Sequence, residues 1–232
     1  MDIYKQYDTD LSGCTKCTTT LCERYANPLE SKAKVEPKPI NLGIKKKPIM
    51  LIGQAPGFVE YETGKPFEGK AGQGIRKIFQ EDIGISDFDK FVWSSAVVKC
   101  FPGREIIKKR DGSGDRSQDL KPSSEMKKNC QPFLLRQFEL VEPKVIVTLG
   151  SYALVNQLKL YDPSIKEKDI RLEDFVGKNV VWEGKTVIFF PHTSGASTWL
   201  NKKANKSLFQ DSKKLLRQTL ITHGIIEDFW TR

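Results

Sequence analysis

Four of the five cysteines have a spacing that suits metal binding. Cys14 and Cys17 form a CxxC pair, which brings two thiolates within reach of one ion, and Cys100 and Cys130 follow much later in the chain. Four sulfur ligands suit zinc or an iron–sulfur cluster. The alternative is a buried CxxC pair and two unrelated core thiols, because free cysteine packs as a small hydrophobic residue. The odd count argues against a disulfide framework, and we assign the fifth cysteine, Cys22, to a structural role.

A second set of chemically useful residues is basic. Lys and Arg number 38 against 29 Asp and Glu, and the net charge of +9 indicates a polyanionic partner. Residues 101–123 mix several of these cations with Gly, Ser and Asp, so we expect a mobile basic insertion, either a solvated loop or a flap that contacts phosphates. No apolar run approaches about 18 residues and the N-terminus has no apolar signal segment, so we expect a cytoplasmic protein without a membrane partner.

Apolar runs and helical periodicities alternate along the rest of the chain. Strands are predicted at 49–52, 91–98, 145–149 and 187–190. Helices are predicted at 71–83, at 124–141, from Ser151 onward and at 205–222. Continuous apolar strands that alternate with helices indicate an α/β fold whose sheet is covered on both faces. We therefore predict a three-layer sandwich in which a central, mostly parallel four-stranded sheet is flanked by helices.

This scaffold predicts where a ligand would bind. In parallel sheets, the loops at the carboxyl ends of the strands form the ligand site. That rule selects the loop after Ile52, residues 96–100 and the loop after Phe190. We expect one domain over residues 1–232, in which residues 1–48 form a Cys-bearing N-terminal segment and a connector.

Several motifs follow one another along the chain. They are GQAPG at 53–57, Glu60, TGKPFEGKAG at 63–72, VVKC at 97–100, CQPFL at 130–134 and PHTS at 191–194. Together and in this order, they resemble the motifs of the family 4 uracil-DNA glycosylases, the iron–sulfur branch of the uracil-DNA glycosylase superfamily. The resemblance runs from about Cys14 to about Leu216. It implies a [4Fe-4S] cluster with a structural role, with zinc as the alternative metal, on the ligands Cys14, Cys17, Cys100 and Cys130.

The same resemblance implies an enzyme that flips a base out of DNA and breaks its bond to the sugar. His192 would donate to the base carbonyl and stabilise the leaving anion. Phe67 would stack on the base, and Glu60 would orient water or stabilise the sugar cation; the alternatives are core packing for Phe67 and an exposed loop carboxylate for Glu60. Gln54, where the family has Glu, and Ala55, where related branches have a water-activating Asp, would line the base.

The most informative departure from the family is Ala96. The family usually has Asn there, and its amide reads the edge of uracil. Alanine forms no such bond and opens space, so uracil specificity does not transfer directly. Either a neighbouring serine, Ser94 or Ser95, takes over the reading, or the pocket accepts a larger base. Tyr61 is a second departure, because the family has an acidic residue there.

Further residues are expected to contact DNA because of their chemistry. Gly57 permits close approach of the backbone. Trp199 or Leu200 would wedge the gap that the flipped base leaves, although both residues could instead anchor their loop to the core. The residues assigned to hold phosphates are Lys70, Ser194, Ser197 and Lys202.

We therefore predict a monofunctional DNA glycosylase that hydrolyses the N-glycosidic bond of a pyrimidine-type base and leaves an abasic site, with uracil as the family default. One alternative is excision of a bulkier modified base, such as a hypermodified cytosine of phage DNA, in antiphage defence rather than DNA repair. The other is a DNA-binding relative without catalysis. The expected partner is DNA, and we expect a monomer with no protein partner.

Overall fold

The computed structural model describes residues 2–108, 114–194 and 198–227 of the chain. The chain forms two compact units, each made of three stretches. The first unit comprises Met1–Ile44, Gln54–Gly69 and Ala96–Gln137. The second comprises Lys45–Gly53, Lys70–Ser95 and Phe138–Arg232. The organisation of residues 1–232 as a single domain stays a prediction.

Helices and strands alternate in the order that the sequence predicts. The strands are β1 (Ile49–Gly53), β2 (Val92–Ala96), β3 (Arg104–Ile107), β4 (Arg116–Asp119), β5 (Val145–Leu149), β6 (Asn179–Trp182) and β7 (Lys185–Phe190). The helices are α1 (Ile3–Ser12), α2 (Thr18–Leu21), α3 (Phe58–Thr63), α4 (Lys70–Ile78), α5 (Phe88–Phe91), α6 (Ser124–Val141), α7 (Ser151–Tyr161), α8 (Leu172–Phe175) and α9 (Lys203–Thr222). A π-helical turn, Phe79–Ile83, continues α4. Within the described ranges, none of these helices is long and apolar enough to cross a membrane.

A sheet with the strand order β2-β1-β5-β7-β6 is the centre of the second unit. β1, β5 and β7 are parallel neighbours, in which Ile49 pairs with Val145 and Val145 pairs with Thr186. All residues of β1 and β5 are buried, as their continuous apolar sequences predict. α7 packs against β5 and β1, and α9 packs against β7. The predicted α/β class, with a central, mostly parallel sheet and flanking helices, is confirmed.

The sheet has five strands rather than the predicted four. β6 pairs antiparallel with β7 across a tight turn at Glu183 and Gly184, whose φ angles are +48° and +74°. Two-residue hairpin loops of this kind need positive φ at both central positions. The additional strand has only Val180 and Val181 as an aliphatic pair, so its apolar run is too short to predict a strand.

The stretch 101–123, which the sequence predicts as a mobile basic loop, contains a strand on each side of residues 109–113. It contains an antiparallel hairpin in the first unit, in which Arg104 of β3 pairs with Asp119 of β4 and Ile107 pairs with Arg116. The part of its basic run within residues 109–113 lies outside the described residues. Short strands of mostly polar residues have no clear apolar alternation, so the sequence pattern does not indicate them.

Candidate active site

The carboxylate of Glu60 holds the first motif loop within the first unit. Gly57 caps the N-terminus of α3, and its backbone N–H donates to Glu60 Oε2 at 2.9 Å. The N–H of Gly69, nine residues after Glu60, donates to Glu60 Oε1, also at 2.9 Å. Both oxygens therefore join the ends of the segment that carries Phe67. These are not the surroundings of a free loop carboxylate, and the role of Glu60 in the reaction itself stays a prediction.

Phe67 lies between those two anchored ends in a strained conformation. Its φ of +57° is in the left-handed region, which bulky side chains rarely adopt. Strain of this kind persists only where the surroundings fix the backbone, and the bond from Gly69 to Glu60 does so two residues away. The ring is half-buried rather than part of the core, which suits a surface that receives a base.

A second carboxylate, Asp119 of the hairpin, contacts the same loop. Its Oδ2 accepts from the Phe58 N–H at 3.3 Å, and its Oδ1 accepts from Arg104 Nε at 2.7 Å. A Cβ atom on Gly57 would lie 2.8 Å from Glu60 Oε2 and 2.9 Å from Asp119 Oδ2. A side chain at this position would therefore displace the ends of two carboxylates that hold the loop. Sequence reasoning missed Asp119, since 61 residues separate it from Phe58.

Gln54 and Ala55 follow β1, and both are half-buried. The backbone carbonyl of Gln54 accepts from the Val98 N–H at 3.1 Å. This bond ties the loop after β1 to the VVKC motif inside the first unit. The predicted base-binding roles of the two side chains stay predictions.

β2 ends at Ala96, where the family has its base-reading Asn. Alternate residues of a strand face the same side, so Ser94 shares the face of Ala96 and Ser95 points to the opposite face. Ser94 Oγ is buried and has no hydrogen-bond partner among the described residues. Of the two serines, Ser94 lies on the face of Ala96, and the reading of a base by either serine stays a prediction.

His192 follows β7 in the second unit, and Ser194 orients its ring. The Ser194 N–H donates to His192 Nδ1 at 3.3 Å, and Ser194 Oγ lies 2.8 Å from the same atom. Because a backbone N–H only donates, Nδ1 is the acceptor and the neutral ring carries its proton on Nε2. Desolvation by the surrounding protein lowers the pKa of His192 below its ordinary value, while the residue as a whole is exposed. A neutral N–H donor results, which is the kind of group that stabilises a departing base anion.

Neighbouring elements of the second unit fix the loop that carries His192. Gly150, with φ of +84°, ends β5, and a Cβ atom there would lie 3.5 Å from His192 Cβ and Cδ2. Thr193 Oγ1 donates to the Ala71 carbonyl of α4 at 2.7 Å. A Cβ atom on Gly74 would lie 3.1 Å from the Thr193 carbonyl oxygen, so small residues let the loop lie directly on α4.

Trp199 has hydrogen-bond partners within its own unit, and its predicted wedge role stays a prediction. Its Nε1 donates to Glu173 Oε2 at 3.5 Å, and its carbonyl accepts from Asn205 Nδ2 at 2.8 Å. These contacts support the alternative in which Trp199 fastens the loop to its own unit. Leu200, which is half-buried, is then the better candidate for the wedge.

The predicted phosphate contacts differ in their surroundings. Lys70 and Lys202 are exposed, as phosphate contacts require. Ser194 is half-buried and its hydroxyl is engaged with His192. Ser197 lies outside the described residues.

The four predicted metal ligands all belong to the first unit. Cys17, Cys100 and Cys130 are buried and Cys14 is half-buried. Burial raises the pKa of the Cys100 thiol, and the charges of Cys130, Cys17 and Cys14 raise it further, so the four sulfurs are near enough to influence one another. Cys22 is exposed at the end of α2, where its thiol donates to the Thr19 carbonyl at 3.1 Å, a local capping contact.

Amide donors surround these sulfurs, as an iron–sulfur site requires. Cys130 Sγ accepts from the Lys99 N–H at 3.4 Å, Cys17 Sγ accepts from Asn129 Nδ2 at 3.5 Å, and the Cys100 thiol accepts from the Lys38 N–H. No three His, Cys, Asp or Glu side chains in the described ranges converge on a single ion. A [4Fe-4S] cluster does not require three ligands on one ion, because each of its four irons binds one thiolate. The donor set of this chain fits such a cluster.

Tyr61 holds the connector within the first unit. Its ring stacks on Phe101 with 5.2 Å between centroids, and its hydroxyl accepts from the Glu36 N–H at 3.3 Å. The Tyr61 carbonyl accepts from Lys38 Nζ at 2.9 Å. The replacement of the family's acidic residue by Tyr61 therefore has a packing role in this chain.

Lys99 was not singled out by its sequence position, yet it is buried in the first unit. Its Nζ donates to the Ala96 carbonyl and to Gln137 Oε1, the latter at 2.9 Å. Burial lowers the pKa of Lys99 to about 7, and the Cys130 thiol raises it. Both the amine and the ammonium form donate to these two acceptors. The sequence signal that could have identified it is a lysine that directly follows an apolar pair and precedes a cysteine.

Comparison with known proteins agrees with these features. The family described as "Uracil DNA glycosylase superfamily" matches residues 40–217. The Type-4 uracil-DNA glycosylase of Sulfurisphaera tokodaii is 30% identical over 224 residues, which cover 96% of this chain and 87% of that protein. The enzyme of the same name from Saccharolobus solfataricus is 29% identical over 208 residues, which cover 89% and 82%. The crystal structure of WT Pedobacter heparinus SMUG2 aligns with a TM-score of 0.44 and 12% identity over 78% of this chain and 77% of that one, a likeness too low to carry an argument.

The chain belongs to the uracil DNA glycosylase superfamily, so it is a DNA glycosylase, an enzyme that hydrolyses the N-glycosidic bond between a base and its sugar. Within the superfamily, the two long matches are both to Type-4 enzymes, the iron–sulfur branch. The family predicted from the motifs is therefore confirmed.

Proposed function

We propose that the protein is a monofunctional glycosylase of uracil or a related pyrimidine base and that His192 is its main catalytic group. The observation that carries this proposal is the hydrogen bond from the Ser194 N–H to His192 Nδ1, which leaves Nε2–H as a donor. The lowered pKa of His192 keeps the ring neutral at neutral pH. This donor stabilises the negative charge that develops on the base oxygen as the glycosidic bond breaks.

The remaining groups act before and after bond cleavage. The base leaves the helical stack and rests on Phe67, while Gln54 and Ala55 border it. Glu60 stabilises the positive charge on the sugar or orients the attacking water, in addition to holding its loop. Gly57, Lys70, Lys202 and the Ser194 region hold the DNA backbone, and Leu200 fills the gap in the stack.

Hydrolysis, rather than cleavage of the DNA strand, is the expected chemistry. Strand cleavage by a glycosylase requires an amine that attacks the sugar. Lys99 has the lowered pKa that suits such an amine, but it is 3% exposed and donates to Ala96 and Gln137. An abasic site is therefore the expected product.

The proposed cofactor is a [4Fe-4S] cluster on Cys14, Cys17, Cys100 and Cys130. The gathered thiols and their amide donors support it. When bound, such a cluster would cross-link distant chain segments, because its ligands lie in the N-terminal segment, in the loop that follows β2 and in α6. Zinc is the alternative metal.

Ala96 supports a second candidate, excision of a bulkier modified base. Alanine removes the edge contact that selects uracil, and no described side chain is bonded to Ser94 Oγ on the same face. A role in antiphage defence would follow from such a substrate, whereas uracil excision indicates DNA repair. We further propose that the protein acts as a cytoplasmic monomer on DNA.

A substrate panel tests these proposals. Duplex and single-stranded oligonucleotides with uracil, cytosine or hypermodified cytosines are incubated with the protein and then cleaved with alkali. Breaks only after alkali treatment indicate a monofunctional glycosylase, and the base with the fastest single-turnover rate identifies the substrate. His192→Ala is the control for contaminating glycosylases. Binding of DNA without excision of any base would support the non-catalytic alternative instead.

A further inference from the structure

The side chain of Lys99 belongs to a buried polar network in the first unit. Lys99 and Gln137 are each 3% exposed, and Tyr7, whose hydroxyl is bonded to Gln137, is 4% exposed. Burial of an amino group is unfavourable unless its donors are paired. Lys99 Nζ is paired with the Ala96 carbonyl and with Gln137 Oε1. The network therefore joins α1, α6 and the end of β2.

The backbone around Lys99 connects the same segment to three other places. Its N–H donates to Cys130 Sγ at 3.4 Å, and its carbonyl accepts from the Ile40 N–H at 2.9 Å. The neighbouring Val98 N–H donates to the Gln54 carbonyl at 3.1 Å. The segment 98–99 thus bonds to a cysteine of the metal site, to the connector and to the first motif loop.

We propose that Lys99 is a positioning residue for base excision, which fixes the backbone of Ala96 relative to the cysteine site. This inference rests on the proposed function, in which Ala96 borders the base. The side chain of Lys99 reaches back three residues to hold the Ala96 carbonyl, while its backbone is held by Cys130. Lys99 thereby connects a cysteine of the metal site to the position that borders the base.

A purely structural buried lysine would behave differently. Its removal would lower the free energy of unfolding but would leave the chemistry of the folded fraction unchanged. A positioning residue affects the single-turnover rate and the ratio of rates between bases, because displacement of a reacting group by about 1 Å costs up to roughly 10²-fold in rate. DNA affinity serves as a control under both roles, since Lys99 is buried and reaches no phosphate.

The test compares Lys99→Met with Leu220→Ala. Methionine is unbranched and one atom shorter than lysine, so it fills most of the same space and removes both donor bonds. Leu220 is fully buried in α9 and serves as the stability control. We expect Lys99→Met to lower the single-turnover rate roughly 10- to 100-fold and to change the ratio between the best and second-best bases. Its DNA Kd should stay within about threefold of wild type, because no phosphate contact is lost. Leu220→Ala should lower the melting temperature while its rate at a permissive temperature stays that of wild type.

A second variant and a second readout keep the proposal falsifiable. Gln137→Met removes one hydrogen-bond partner of Lys99 and should lower the rate in the same way but by a smaller factor. The iron content per chain is measured for every variant, so that an effect of metal loss is distinguished from an effect of positioning. If the wild type excises no base, the proposed function fails. Amide hydrogen exchange at residues 96–98 then tests the positioning alone, and Lys99→Met should accelerate it roughly tenfold. Wild-type rates, base ratios and exchange in both variants would overturn the proposal.

Discussion

Glu60→Gln tests whether the carboxylate holds the loop of Phe67 or acts on the reacting atoms. Glu60 accepts one backbone N–H on each oxygen, from Gly57 and from Gly69. A glutamine amide accepts only on its oxygen and presents an NH₂ group to the other donor. One of the two bonds is therefore lost, and the loop ends are no longer joined.

The size of the effect follows from that single lost bond. A hydrogen bond to a charged group contributes about 1.5–3 kcal/mol. Because Glu60 is half-buried, the lower value of about 1.5 kcal/mol is appropriate. For a chain of this size it corresponds to a decrease in melting temperature of about 3–6 °C. Release of the strained backbone of Phe67 should also lower the single-turnover rate roughly 10- to 100-fold.

Thermal unfolding and single-turnover excision of the best base measure both effects. Glu62→Gln is the matched control, because Glu62 is exposed on the same helix. It should change stability by less than about 0.5 kcal/mol and leave the rate unchanged. An unchanged melting temperature and rate in Glu60→Gln would refute the loop-holding role. A loss of more than about 10³-fold at an unchanged melting temperature would instead place the carboxylate in the chemistry.

Four further predictions concern the other groups. His192→Ala should lose roughly 10²-fold or more in single-turnover rate while it binds DNA nearly as tightly, and equal activity would remove His192 from the mechanism. Partial desolvation lowers the pKa of His192, so the ring stays a neutral donor below the ordinary histidine pKa. The acid limb of the rate profile should therefore lie below about pH 6.5, and a limb above that pH contradicts the assignment. The purified protein should absorb broadly near about 400 nm and contain iron, and Cys14→Ser should reduce solubility or folding more than chemistry; zinc in place of iron contradicts the cluster. Ala96→Asn should raise the rate on uracil relative to a bulkier base by roughly tenfold. Rapid excision of uracil and rejection of cytosine by the wild type would contradict the argument that alanine enlarges the pocket for a larger base.

The sequence by itself determined the central sheet and the family. β1 and β5 are continuous apolar runs because both faces of the sheet are covered, and such runs are visible without any knowledge of their partners. The prediction of a helix at 124–141 is confirmed by α6, which spans Ser124–Val141. The motifs around Gln54, Cys100 and His192 identified the superfamily, since their order along the chain is a property of the sequence alone.

Tertiary structure decided how the site residues are held. The bond from Phe58 to Asp119 joins residues 61 positions apart, and no local periodicity records such a contact. The polar hairpin of β3 and β4 and the edge strand β6 also lack a local signal, because they are not buried on both faces.

The same limit applies to single side chains. The left-handed backbone of Phe67 and the burial of Lys99 follow from partners brought together by the fold. Residue types and their spacing indicate which functional groups the chain has for catalysis and metal binding. Whether a carboxylate such as Glu60 meets water or two backbone amides depends on segments that meet only after the chain has folded.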